Sequence, residues 1–274
     1  MASGRDKVRR TRLVCLAVCA ALVVTACSSQ VGGTAGADPA VAPPPELPAA
    51  ELARAIATRL AGTTSARFQV DTATSLPALS AKSSLSGQFR RDAQGYWASA
   101  KISDATELVF TPGTLFVRPP AEAKLPADKP WVRVGATDTS EFAKQFQPVF
   151  AALQRAGQPP VELAATKLVR SEVQALNGLV PTRHYVLEVD LAAAAKAATD
   201  PDTRQGLLAE LQLGATALAE ELWVAAGNVP LRATSTLALP DRPQAVQVTT
   251  TYTDWDKPVQ ITPPPDSQLS PQPG

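Results

Sequence analysis

The chain has 274 residues, with 26 Lys plus Arg against 25 Asp plus Glu, 45% hydrophobic residues, three cysteines and one histidine. This near-neutral balance, with no Lys/Arg block beyond the first dozen residues, excludes the basic surface that a nucleic-acid-binding protein needs. The single histidine, His184, excludes a two-histidine zinc site, and the length suffices for one domain with a sizeable core.

The first element reads as an export signal. Arg5, Lys7, Arg9, Arg10 and Arg12 stand against one acid, Asp6, and an apolar run follows from Leu13 to Ala26. Its fourteen residues, at about 1.5 Å each, fall short of the ~30 Å hydrocarbon core, so the run predicts a signal peptide rather than a membrane span. In Val24-Thr25-Ala26-Cys27, small residues directly precede a cysteine, the pattern of a bacterial lipoprotein cleavage site. Residues 1–26 would be removed, and Cys27 would carry a diacylglycerol anchoring the chain to the outer face of the cell membrane. Arg12 breaks the twin-arginine pattern that Arg9-Arg10 begins, which favours Sec export. Cys15 and Cys19 leave with the signal, so no disulfide and no cysteine nucleophile are expected. The signal holds five of the basic residues and one of the acidic ones, so the remainder carries 21 basic against 24 acidic, a formal net charge of −3.

Residues 27–47 form the lipidated N-terminus and, in their Ser/Gly/Ala/Pro composition, a flexible tether. The domain proper is expected over 48–262, and the Pro-rich residues 263–274 are expected to be a disordered tail. Within the domain, helical spacing of Leu47, Leu52, Ile56 and Leu60 predicts a helix from Glu46 to Gly62. Strands follow over Arg67–Thr74, Ser83–Arg91, Gly95–Ile102, Thr106–Thr111, Thr114–Arg118 and Trp131–Val134, an antiparallel meander. A helix capped by Asp138 or Thr139 carries the stripe Phe142, Phe146, Val149, Phe150 and Leu153. Strands Val169–Leu176 and Arg183–Leu191 flank Asn177-Gly178, with Val169, Val173, Tyr185, Leu187, Val189 and Leu191 on one face. An Ala-rich helix over Leu191–Thr199 and another after Asp202, carrying Leu207, Leu208, Leu211 and Leu218, lead to strands Glu220–Ala226, Leu231–Leu239 and Ala245–Trp255. This succession predicts an α+β fold built on a large, curved antiparallel sheet.

Signatures of catalysis are absent: there is no GxSxG, no Walker loop and no GxGxxG. His184 lies on the strand face opposite Tyr185 and Leu187, as a satisfied or surface histidine would. The paired acids Glu220-Glu221 and Asp254/Asp256 read as solvated strand ends rather than a glycosidase pair. No metal, cofactor or catalytic residue is expected.

The order of lipobox, tether, helix, meander and final hairpin, with Asn228-Val229-Pro230-Leu231 and Tyr252-Thr253-Asp254-Trp255, resembles the LppX/LprA/LprF/LprG family of actinobacterial lipoproteins. That family's last strand tends to end in Tyr-Ser-Asp-Trp followed by Gly-Lys-Pro, and Asp256 stands here at the glycine. The resemblance implies a half-barrel sheet packed on helices, similar to the LolA/LolB carriers, with an apolar cavity between them. Candidates to line it are Phe68, Val70, Phe142, Phe146, Val149, Phe150, Leu153, Val173, Tyr185, Leu187, Val189, Leu208 and Leu211. The implied function is non-catalytic binding of an acylated lipid or glycolipid and its transfer across the envelope. Partners would be the lipid, the membrane through Cys27 and a membrane transporter, and the chain is expected to be a monomer. A packed interaction module holding an exporter or cell-wall enzyme is the alternative, and an envelope hydrolase using His184 is a more distant one.

Overall fold

The computed structural model describes residues 42–76, 79–102, 106–155 and 165–271. Cys27 and the signal lie outside them. One sheet of twelve strands organises the chain: β1 (Ser65–Leu76), β2 (Leu79–Asp92), β3 (Gly95–Ile102), β4 (Thr106–Thr111), β5 (Thr114–Arg118), β6 (Trp131–Gly135), β7 (Thr166–Leu176), β8 (Val180–Asp190), β9 (Ala217–Ala225), β10 (Val229–Leu239), β11 (Arg242–Thr253) and β12 (Leu269–Ser270). Their order is β12-β6-β5-β4-β3-β2-β1-β11-β10-β9-β8-β7, open at both edges. Two antiparallel meanders, β1 to β6 and β7 to β11, are joined by one seam in which β1 pairs with β11, Phe68 opposite Tyr252. Four helices accompany the sheet: α1 (Ala49–Ala61), α2 (Glu141–Arg155), α3 (Leu191–Ala197) and α4 (Pro201–Gln212). The architecture is the expected large curved sheet with helices.

Period-two alternation gives the sheet two unlike faces. On the inner face, Ala66, Phe89, Ala98, Leu108, Phe110, Leu115, Val117, Tyr185, Leu187, Leu222, Val224 and Tyr252 form one core with Leu52, Ile56 and Leu60 of α1 and Val149, Phe150 and Leu153 of α2. α1 starts at Ala49 rather than Glu46 because Pro48 sits at its N-cap, and its apolar residues recur every four positions on the buried side. α2 is capped by Ser140, whose hydroxyl accepts from the Ala143 amide at 3.0 Å, while Asp138 accepts from the Ser140 amide. The cap is therefore one residue beyond the expected Asp138 or Thr139. Asp200 caps α4 through the Thr203 amide, with Pro201 in its first turn.

Both expected chain ends differ from the sequence reading. Residues 42–47, assigned to the tether, lie along β8: Arg183 Nε donates to the Pro44 carbonyl at 2.8 Å, and the Tyr185 hydroxyl donates to the Pro45 carbonyl and accepts from the Leu47 amide, each at 3.2 Å. The Ser171 hydroxyl also bonds Glu46. Three prolines hold this stretch extended, so its carbonyls are free to accept. The Pro-rich tail, expected to be disordered, instead runs over the outer face. There Ile261 packs with Val109 and Phe116 beside Trp97, Trp131 and Leu269, and β12 pairs in parallel with β6. Ser270 donates to the Lys129 carbonyl at 2.7 Å. The outer aromatic residues of β3 to β6 need cover, and the tail supplies it. Leu269→Ala is expected to cost about 1–2 kcal/mol in urea unfolding, the value of a half-buried leucine, whereas a truly disordered tail would show no change.

Candidate functional site

The inner face of β1 to β4 holds a hollow. Register sets Phe68, Gly87, Ala100 and Leu108 side by side across four strands, and Ala98 sits beside Phe89 and Phe110 one row away. Gly87 is required for this packing: a Cβ there would fall 2.5 Å from the Ser99 carbonyl oxygen and 2.6 Å from Phe68 Cζ. Phe68 lies over Gly87, and with the two alanines as floor and α2 as roof the larger neighbours leave unfilled space. The hollow is lined by Phe68, Leu85, Ala98, Ala100, Ile102, Leu108 and Phe110 of the sheet and Val149 and Leu153 of α2, all apolar. Its enclosed volume is only about 30 Å³, or about 420 Å³ when the open mouth is counted. This conformation therefore has room for a few water molecules rather than for an acyl chain.

Of the sequence candidates, Phe68, Val149 and Leu153 line the hollow, and Val70 packs next to it with Leu85 and Val248. Phe150 is fully buried edge-on to Phe110 at 5.7 Å, and Phe142 and Phe146 pack on each other at 5.1 Å; none of the three reaches the lining. Tyr185, Leu187 and Val189 are buried under the other half of the sheet. Val173 is 62% exposed although its register partner is Arg183 on the inner face, because β7 is the edge strand of the sheet. The register shift at Leu168/Arg170 displaces Val169, which is also exposed. α4 ends before Gly214 and presents Leu208 to solvent, while Leu211 joins a separate cluster with Leu191, Ala215 and Leu237. The candidates missed Leu85, Ile102, Leu108 and Phe110 on the same strands, and with them the small residues of the floor. Ala98 and Ala100 alternate correctly for the inner face, and their size was the available signal.

Beside the apolar floor the inner face turns polar, with Thr72, Thr250 and the pair Ser235–Glu220 on β1, β11, β10 and β9. The Ser235 hydroxyl donates to Glu220 Oε1 at 2.7 Å, and α4 brings Glu210, with a buried Oε2 that no protein group bonds. Burial pushes the Glu220 and Glu210 carboxyls up to about 7, and Glu210 adds repulsion at Glu220. A carboxyl that binds its proton more tightly folded than unfolded stabilises the fold at low pH, and that stability is lost as pH rises from the unfolded value near 4.5 through about 7. Melting temperature is thus expected to fall between pH 5 and pH 8. Glu220→Gln should flatten the fall by about half, and an unchanged profile would show that burial does not hold the proton.

His184 faces the other way. Its ring stacks on Trp223 at 4.2 Å, with Nε2 2.8 Å from Glu221 Oε2 and Nδ1 3.5 Å from Glu172 Oε1. Both ring nitrogens meet carboxylates, so no serine stands where a hydrolase triad would need one. The acid pairs are divided as well. Glu221 lies on the outer face and Glu220 on the inner, and Asp254 accepts from Lys257 while Asp256 accepts from Arg59. Among the described residues, no group of three or more His, Cys, Asp or Glu could hold a metal ion.

No family model and no curated protein matches the chain. Among solved structures it is similar to the Mycobacterium tuberculosis lipoprotein LppX, at 16% identity over 73% of this chain and 91% of that one, with a TM-score of 0.39. A DUF1329 family protein from Desulfovibrio piger is similar at 10% identity over 77% and 92%, with a TM-score of 0.33. A Vibrio parahaemolyticus domain named for outer membrane lipoprotein sorting is similar at 11% identity over 73% and 87%, with a TM-score of 0.28.

Proposed function

We propose that the chain is a membrane-anchored lipoprotein that takes the acyl chains of a membrane lipid, glycolipid or lipoglycan between α2 and the sheet and assists their transfer across the envelope without catalysis. The observation that carries this reading is the wholly apolar lining of the hollow, in which Ala98 and Ala100 stand where larger side chains would close it. A sixteen-carbon chain gains about 0.8 kcal/mol per methylene removed from water, ~12 kcal/mol if fully covered. That gain would be set against the cost of lifting α2, which closes the hollow with Val149 and Leu153 and also buries Ala143 and Phe150 in the core. The threonines and the Ser235–Glu220 pair beside the floor would meet the headgroup, and Cys27 would supply the anchor.

The test is direct. The full chain carrying Cys27→Ala, exported behind an unlipidated Sec signal and purified without detergent, is expected to release about one acylated lipid per chain on solvent extraction, read by mass spectrometry. Chains that emerge empty from a host rich in such lipids overturn the reading and favour a packed interaction module.

A further inference from the structure

The large hydrophobic residues exposed among the described ones fall in two places: Leu208 and Leu213 on or just after α4, and Val169, Val173 and Leu179 on β7 and the turn that follows it. The second group is the more concentrated. Leu179, 76% exposed, lies in the three-residue loop 177–179 at the tip of the β7–β8 hairpin, where Asn177 and Gly178 take left-handed backbone. Val173, 62% exposed, lies six residues back along the same hairpin, with Ala175 exposed between them.

The N-terminal strap binds this same hairpin. Pro44, Pro45 and Glu46 are held by Arg183, Tyr185 and Ser171, all on β7 or β8, and Arg183 is the register partner of Val173. The chain therefore enters the fold beside Val173, and the hairpin tip lies ~10–13 Å further along at 3.3 Å per residue. Fifteen residues separate Cys27 from Ala42, which at full extension span at most about 50 Å. A flexible chain of that length typically spans ~20–25 Å, less than the ~36 Å length of β8, so an anchor at Cys27 favours this end of the sheet over the α4 end at the bilayer.

We propose that the β7–β8 hairpin, through Leu179 and Val173, is the surface with which the domain docks on its own membrane. The anchor sets which end faces the lipid, and the two apolar side chains enter the interface there. The hollow stays clear of the contact, because it lies on β1 to β4 across the seam. A second copy pairing along β7 is disfavoured by the register shift and by Lys167 and Arg170 on that edge, features that blunt edge-to-edge pairing.

The inference rests on Cys27 being lipidated, and the experiment separates the two. Intact mass of the purified chain reports lipidation. If Cys27 is bare, a maleimide lipid coupled to it, the only cysteine beyond residue 26, provides the tether instead. The tethered chain on phosphatidylethanolamine/phosphatidylglycerol vesicles is then compared with the Cys27→Ala chain in solution by hydrogen exchange. Amides of residues 177–180 are expected to slow about tenfold, as burial of one or two such side chains implies, while those at Asp241 and Arg242 at the opposite end of the sheet stay unchanged. Leu179→Asn should restore fast exchange with the chain still tethered. Equal exchange at 177–180 with and without vesicles overturns the proposal, and so does slowing along Lys167–Ala175 together with a doubled mass in solution, which would mark a β7 dimer.

Discussion

Asp256→Ala is expected to lower the free energy of unfolding by about 3–5 kcal/mol in urea titration, because it strands a buried guanidinium. Asp256 Oδ2 accepts from Arg59 Nη2 at 2.7 Å with both side chains largely covered, 14% and 9% exposed. Its other oxygen accepts from the Thr64 amide at 2.8 Å, and its own amide donates to the Ser65 carbonyl. One carboxylate therefore ties the end of α1, the start of β1 and the segment after β11. The residue also sits at φ 58°, the left-handed region where a Cβ costs roughly 1–2 kcal/mol. Asp256→Gly loses the same bonds but relieves that strain, so it should be the milder change by about 1 kcal/mol. Two variants as stable as the parent would mean that the pair behaves like a solvent-screened surface contact.

Ala100→Trp is expected to cut bound lipid by at least about tenfold, since an indole in the hollow displaces several methylenes worth about 0.8 kcal/mol each. The closed hollow is smaller than an indole, so the ring must press on α2 or turn to the open mouth; a cost of about 1–3 kcal/mol in urea is expected, with the parent's far-UV circular dichroism retained. Leu187→Trp makes the useful contrast. Leu187 is 3% exposed in the packed half of the sheet, so the larger ring overpacks the core by about 1–3 kcal/mol and does not touch the hollow. Full lipid occupancy in Ala100→Trp would place the ligand elsewhere.

These two experiments lie on either side of what could be read before folding. Period-two alternation predicts β3, β4 and β5 to the residue, and Asn177-Gly178 predicts its hairpin, because local sterics decide both. The Phe142, Phe146, Phe150 stripe marks a buried helix face but cannot separate core from cavity, since both are apolar. The distinction lies in what is opposite, and Gly87, Ala98 and Ala100 come together only through strand register. Long-range bonds were illegible for the same reason. Asp256, read with Asp254 as a solvated strand end, meets Arg59 197 residues earlier in the chain, and the proline-rich tail found a partner in outer-face aromatics that no local pattern reveals.

The seam between β1 and β11 also governs when this protein can fold. It sets Arg67 against Thr253, so the sheet stays in two unjoined halves until nearly the last residue is available. Such high contact order makes for folding in milliseconds to seconds rather than microseconds. A chain that passes through a translocation pore from its N-terminus would remain threadable for the whole passage, then join its halves on the far side and lay its final strand along β6.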